Sequence, residues 1–77
     1  MAIYTVETRA AGSAEWLGVQ PTAPYSAESA ATEARAALRN QPDGYQARIR
    51  RTFDGKPWET WRTYRVCADG IVRLVKA

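Results

Sequence analysis

The sequence predicts an α+β domain in which five strands and one helix follow one another as ββαβββ. The expected sheet is five-stranded and antiparallel, in spatial order 2-1-3-4-5, with the helix packed on one face. Three observations carry this. Residues 45–66 form two alternating runs around Asp54-Gly55, a strong hairpin signal. An alanine-rich segment after Ser26 has apolar residues at helical spacing. Short alternating runs punctuated by glycine and proline lie on either side of that segment. Seventy-seven residues make a single domain, 1–77, with a thin core. Net stability on the order of 3–5 kcal/mol is expected at that size.

Each element has a local reason. Residues 3–9 alternate as a first strand, with Tyr4, Val6 and Thr8 on one face and Thr5, Glu7 and Arg9 on a wet one. Ala11, Gly12 and Ser13 turn the chain. Residues 14–20 read as a second strand, with Leu17 and Val19 on one face and Trp16 on the other. Pro21 and Pro24 end it, because proline lacks the N–H a ladder needs. Ser26 suits a helix N-cap, and Glu28 in the first turn suits the helix dipole. Ala27, Ala30, Ala31, Ala34, Ala37 and Leu38 then form one stripe on a helix expected over residues 27–39. Asn40 and Pro42 stop it, and Asp43-Gly44 leads into strand three. With strand three docked beside strand one, every neighbouring pair is antiparallel and the second sheet face is left bare.

Register decides what that bare face carries. A two-residue Asp54-Gly55 loop pairs Ile49 with Thr60, Arg48 with Trp61 and Arg50 with Glu59. Tyr45, Ala47, Ile49, Trp58, Tyr64 and Val66 then face the core, with Arg51 and Arg62 at its margin. A three-residue loop at residues 68–70, with Gly70 left-handed, sends Val72 and Leu74 inward and Arg73 outward. The bare face therefore collects Arg48, Arg50, Trp61, Arg65 and Arg73, which are the candidate partner-binding residues. A three-residue loop in the first hairpin remains the alternative. It would move Trp61 to the core with Ile49, because a one-residue slip turns every side chain over.

Composition argues for binding over chemistry. Net charge is +3. It is concentrated after residue 40, where eight cations face four anions, and nine of the eleven cations are arginine. Arginine offers a planar fork for carboxylate or phosphate and stacks on aromatic rings. The chain has no histidine, so the commonest acid/base group and metal ligand is missing. Cys67 is alone, so no intrachain disulfide forms and nothing activates its thiol. Carboxylates are scattered, and no glycine-rich phosphate loop occurs. No enzymatic activity, cofactor or metal is expected. No apolar run approaches the roughly 20 residues a bilayer requires. Met1 leads straight into a strand-like run, so neither a leader segment nor membrane association is expected, and the expected location is cytoplasmic.

The motifs Tyr4-Thr-Val-Glu-Thr-Arg9, Ser26-Ala-Glu-Ser-Ala-Ala31 and Tyr45-Gln-Ala-Arg-Ile-Arg50 resemble those of small α+β proteins of phages and prophages, a group that includes anti-CRISPR proteins. The resemblance spans most of the chain and rests on generic motifs. It implies a non-catalytic inhibitor that occupies a surface of a host protein or protein–nucleic-acid complex, and it assigns no residues. Many such inhibitors are acidic DNA mimics; this chain is basic, which points instead to an acidic protein surface or to binding alongside nucleic acid. The alternative is direct nucleic-acid binding, with the arginines on phosphates and Trp61 stacked on a base. Strands two and five are sheet edges, so the chain is expected to be a monomer or an edge-paired homodimer.

Overall fold

The structure, a computed structural model, describes residues 2–19 and 25–76. Among them lie β1 (Ala2–Arg9), β2 (Leu17–Gly18), α1 (Ala27–Ala37), β3 (Gln46–Phe53), β4 (Glu59–Val66) and β5 (Val72–Lys76). They form one antiparallel sheet in the order β2-β1-β3-β4-β5, with α1 packed over β1 and β3. Both order and class match the expectation from sequence. A helix about 10 Å across spans only two strand spacings of about 4.8 Å, so α1 sits over β1 and β3, its layer still covers Tyr64 and Val66 of β4, and Leu74 on β5 is left exposed.

The helix follows its signals closely. The Ser26 hydroxyl accepts from the Ser29 N–H at 3.1 Å, and the Ser29 hydroxyl accepts from the Ser26 N–H at 2.8 Å. This reciprocal cap satisfies two otherwise orphaned donors. Ser26→Ala is expected to cost about 1 kcal/mol, read as a lower midpoint in urea with an unchanged slope. At the other end Leu38 and Arg39 donate three residues back, to Arg35 and Ala36, and Asn40 turns left-handed at φ 62°. Helical geometry thus stops at Ala37, slightly short of the expected Arg39. Ala30, Ala31, Ala34 and Leu38 are buried against Val6, Ala47, Ile49, Tyr64 and Val66. The alanines bring the helix close, and the sheet supplies most of the bulk.

The second strand is shorter than the expected 14–20. Among the described residues of that stretch, Leu17 and Gly18 pair with β1 and Val19 adds one further hydrogen bond to Val6, while farther along an isolated bridge joins Tyr25 to Tyr4. Trp16 leaves the ladder to lie against arginines, as described below. The expected link at Pro21 and Pro24 falls outside the described residues.

The β3–β4 hairpin corrects the expected register. Asp54-Gly55 does form a two-residue turn, with φ 46° and 78° and a 2.9 Å bond from Lys56 N to Phe53 O. Two positive φ angles are what such a turn requires. Pro57 cannot donate to the ladder, and the chain swings out over residues 56–58. The Thr52 hydroxyl donates to the Lys56 carbonyl and Arg50 Nη2 to the Trp58 carbonyl. Pairing resumes one residue late, with Arg51 opposite Glu59 and Arg50 opposite Thr60. A bulge then adds a second residue, so Ile49 faces Arg62 and Arg48 faces Thr63. Two one-residue slips restore the original faces for residues 63–66. Between the slips, Glu59, Thr60 and Trp61 change sides. Trp58, expected in the core, is exposed.

The last turn is as expected. Gly70 has φ 80°, and Cys67 and Ile71 close a three-residue loop. Val72 stands opposite Val66, Leu74 opposite Tyr64 and Arg73 opposite Arg65. With no helix above β5, Leu74 remains exposed.

Candidate binding surface

Side-chain alternation and pairing place Arg9, Gln46, Arg65 and Arg73 in one row across four strands on the helix-free face. Glu7, Arg48 and Thr63 form the next row, and Thr5, Arg50 and Thr60 the one beyond. Four of the five candidate residues, Arg48, Arg50, Arg65 and Arg73, therefore share this face. Trp61 does not. Its ring lies 5.5 Å from that of Tyr4 and packs against the core on the helix side. There the guanidinium carbon of Arg62 is 4.3 Å from the indole centre and that of Arg51 is 5.5 Å. The late restart of pairing at Glu59 and Thr60 turns Trp61 to this side, and the bulge opposite Ile49 then puts Arg62 beside it.

The tryptophan of the arginine face is Trp16. The Arg9 and Arg48 guanidinium carbons lie 4.4 and 4.2 Å from its ring centre. Such contacts contribute roughly 0.5–1 kcal/mol each at exposed sites. Arg48 Nε also donates to Glu7 Oε1 at 2.7 Å, with both side chains about three-quarters covered. Arg9 Nε donates to Gln46 Oε1 at 2.8 Å. The result is a held lattice: β1 and β3 supply the charges, and the residue just before β2 supplies the ring.

The arginines differ in how far their charge is answered. Arg48 has Glu7. Arg73 Nη2 meets Asp69 Oδ2 at 2.8 Å. The Ile71 N–H, followed by Arg73, holds the Asp69 carboxyl below its ordinary range. Arg50 has a backbone carbonyl, and Arg9 a neutral amide. Arg65 has no hydrogen-bond or carboxylate partner among the described residues, and it stands directly opposite Arg73. Like charges in that position oppose pairing.

Beside this row runs an open groove of about 460 Å³. It is formed by Arg9, the following loop at residues 10–14, Gly44, Gln46 and Arg65. Gly44 has φ 88°, and a Cβ built there would lie 2.7 Å from the Ala11 Cβ. Only glycine lets the loop sit this close to the start of β3.

Sequence reasoning missed Arg9 and Trp16 as members of the surface: it puts Arg9 on a wet face but reads Trp16, on the face away from Leu17 and Val19, as core or hairpin-end packing. Their meeting with Arg48 follows once the order 2-1-3 is taken with those faces. Among the described residues no group of three His, Cys, Asp or Glu side chains could hold a metal ion. No helix among them is long and apolar enough to cross a membrane. No family model, curated protein or solved structure matches the chain.

Proposed function

We propose that the chain is a non-catalytic binding protein that acts through its helix-free sheet face. Its partner is an acidic surface of a host macromolecular complex, occupied in the manner of a phage-type, anti-CRISPR-like inhibitor. The observation that carries the binding reading is the arginine row, in which Arg9 and Arg65 meet no carboxylate among the described residues. The inhibitor class rests on the sequence resemblance. A stable interface needs roughly 800 Å² per partner, an area that one face of a small domain supplies. Arginine and tryptophan are the residues most enriched at binding hot spots.

Direct nucleic-acid binding is the second reading, favoured by the same row of arginines. Two features weigh against it. Trp61, the proposed stacking residue, lies on the other side of the sheet, and the Trp16 ring has two guanidinium groups against it. Glu7 also puts a negative charge among the arginines.

Immobilised protein is expected to retain a host protein in stoichiometric amount after nuclease treatment. The double variant Arg65→Glu/Arg73→Glu is expected to lose it while melting within a few degrees of the parent, because exposed ion pairs contribute little to stability. Retention of nucleic acid alone, or of nothing, overturns the proposal.

A further inference from the structure

The groove beside the arginine row has a chemistry more specific than positive charge. Its rim carries two guanidinium groups, Arg9 and Arg65, whose charge no carboxylate answers among the described residues. Between them the Gln46 amide is fixed by its bond to Arg9. Its lining is otherwise small: Ala10, Ala11, Gly12, Ala14 and Gly44 leave room for a backbone to approach. Arg65 opposite Arg73 is a like-charge pair that weakens the β4–β5 ladder. An anion docked on Arg65 relieves that repulsion.

We propose that this groove binds an extended, acidic segment of a partner protein, with its carboxylates on Arg9 and Arg65. The planar fork of arginine matches a carboxylate through two parallel N–H···O bonds. The small-residue lining accommodates main chain and excludes little by shape, so recognition rests on the spacing of acidic side chains. A base-stacking ligand finds no uncovered ring here, since Arg9 lies against Trp16 on the near side of the groove. The inference builds on the reading of the helix-free face as the binding surface and names the part of that face that does the recognition.

The test uses the full chain labelled with ¹⁵N and three probes: a ten-residue peptide alternating glutamate and serine, the same peptide with glutamine for glutamate, and a ten-residue oligothymidylate. The glutamate peptide is expected to shift the amides of residues 10–14, Gly44 and Gln46 together with the Trp16 indole N–H. Trp58 and Trp61 are expected to stay still. The glutamine peptide is expected to bind at least tenfold more weakly. Arg65→Glu is expected to weaken the glutamate peptide by at least tenfold, and its remaining spectrum serves as the check that it is folded. Equal binding of the two peptides, an unaffected Arg65→Glu, or tighter binding of the oligothymidylate at the same residues each overturns the proposal. Shifts confined to Arg48, Arg50 and their neighbours overturn the groove and leave the wider face reading standing. No shift with any probe overturns the groove while host-protein capture still judges the face.

Discussion

Trp61→Ala is expected to destabilise the domain by about 2–3 kcal/mol, less than the 3–5 kcal/mol of a fully buried tryptophan because Trp61 is only partly covered. The lost contacts are the Tyr4 ring and the packing against the core at the end of the helix layer. In a chain this size that is a fall of roughly 10–20 °C in melting temperature, measurable by circular dichroism. Binding through the helix-free face is expected to survive wherever the variant is folded, because Trp61 lies on the opposite side. A melt unchanged from the parent, with binding lost, puts Trp61 back among the arginines and refutes the bulge.

Ile49→Ala is expected to cost more, about 3–4 kcal/mol, within the range for removing a large aliphatic group from a sealed core. Ile49 is fully buried, on the strand that pairs with both β1 and β4. Of the four buried residues in the helix layer three are alanines, with no side-chain length to fill the space, and Leu38 is already fully buried. The cavity therefore stays open, and so small a domain is left close to its unfolding midpoint in water. Urea titration followed by tryptophan fluorescence measures this directly. A loss below about 1 kcal/mol shows that the helix can settle into the gap, and that the alanine stripe is less constrained than its burial implies.

The fold was legible because its signals are local. Ser26 with Ser29, the spacing of Ala30, Ala31 and Ala34, the Asp54-Gly55 pair and Gly70 each act within a few residues. Each is found where its own chemistry puts it. The strand order followed from direction alone, since β3 beside β1 makes every neighbour antiparallel. The position of Trp61 was not legible in that way. It depends on two slips, of which only the first had a local mark, the missing N–H of Pro57. The second, the bulge opposite Ile49, has no turn residue or proline beside it, and no turn propensity reports on it. The arginine row survived the error because two slips leave parity unchanged from Thr63 onward. Arg9 and Trp16 were readable together only by superposing the wet side of β1 on the face of β2 away from Leu17 and on the arginine side of β3, instead of treating the Asp54-Gly55 hairpin alone.

The pairing of β1 with β3 also governs how the chain reaches this structure. Arg9 meets Gln46 and Ala2 meets Phe53, so the whole of β2 and α1 lies inside the loop that this pairing closes. The β3–β4 hairpin can form early, on a microsecond scale, around its tight turn. An eleven-residue helix is too short to persist by itself in water, and the surface it needs exists only once β1 has arrived. Closing that loop costs chain entropy before any core contact repays it. Helix formation and sheet completion are thereby bound into one late, cooperative event. The mixed layers of this domain rise and collapse together, with no stable half to fall back on.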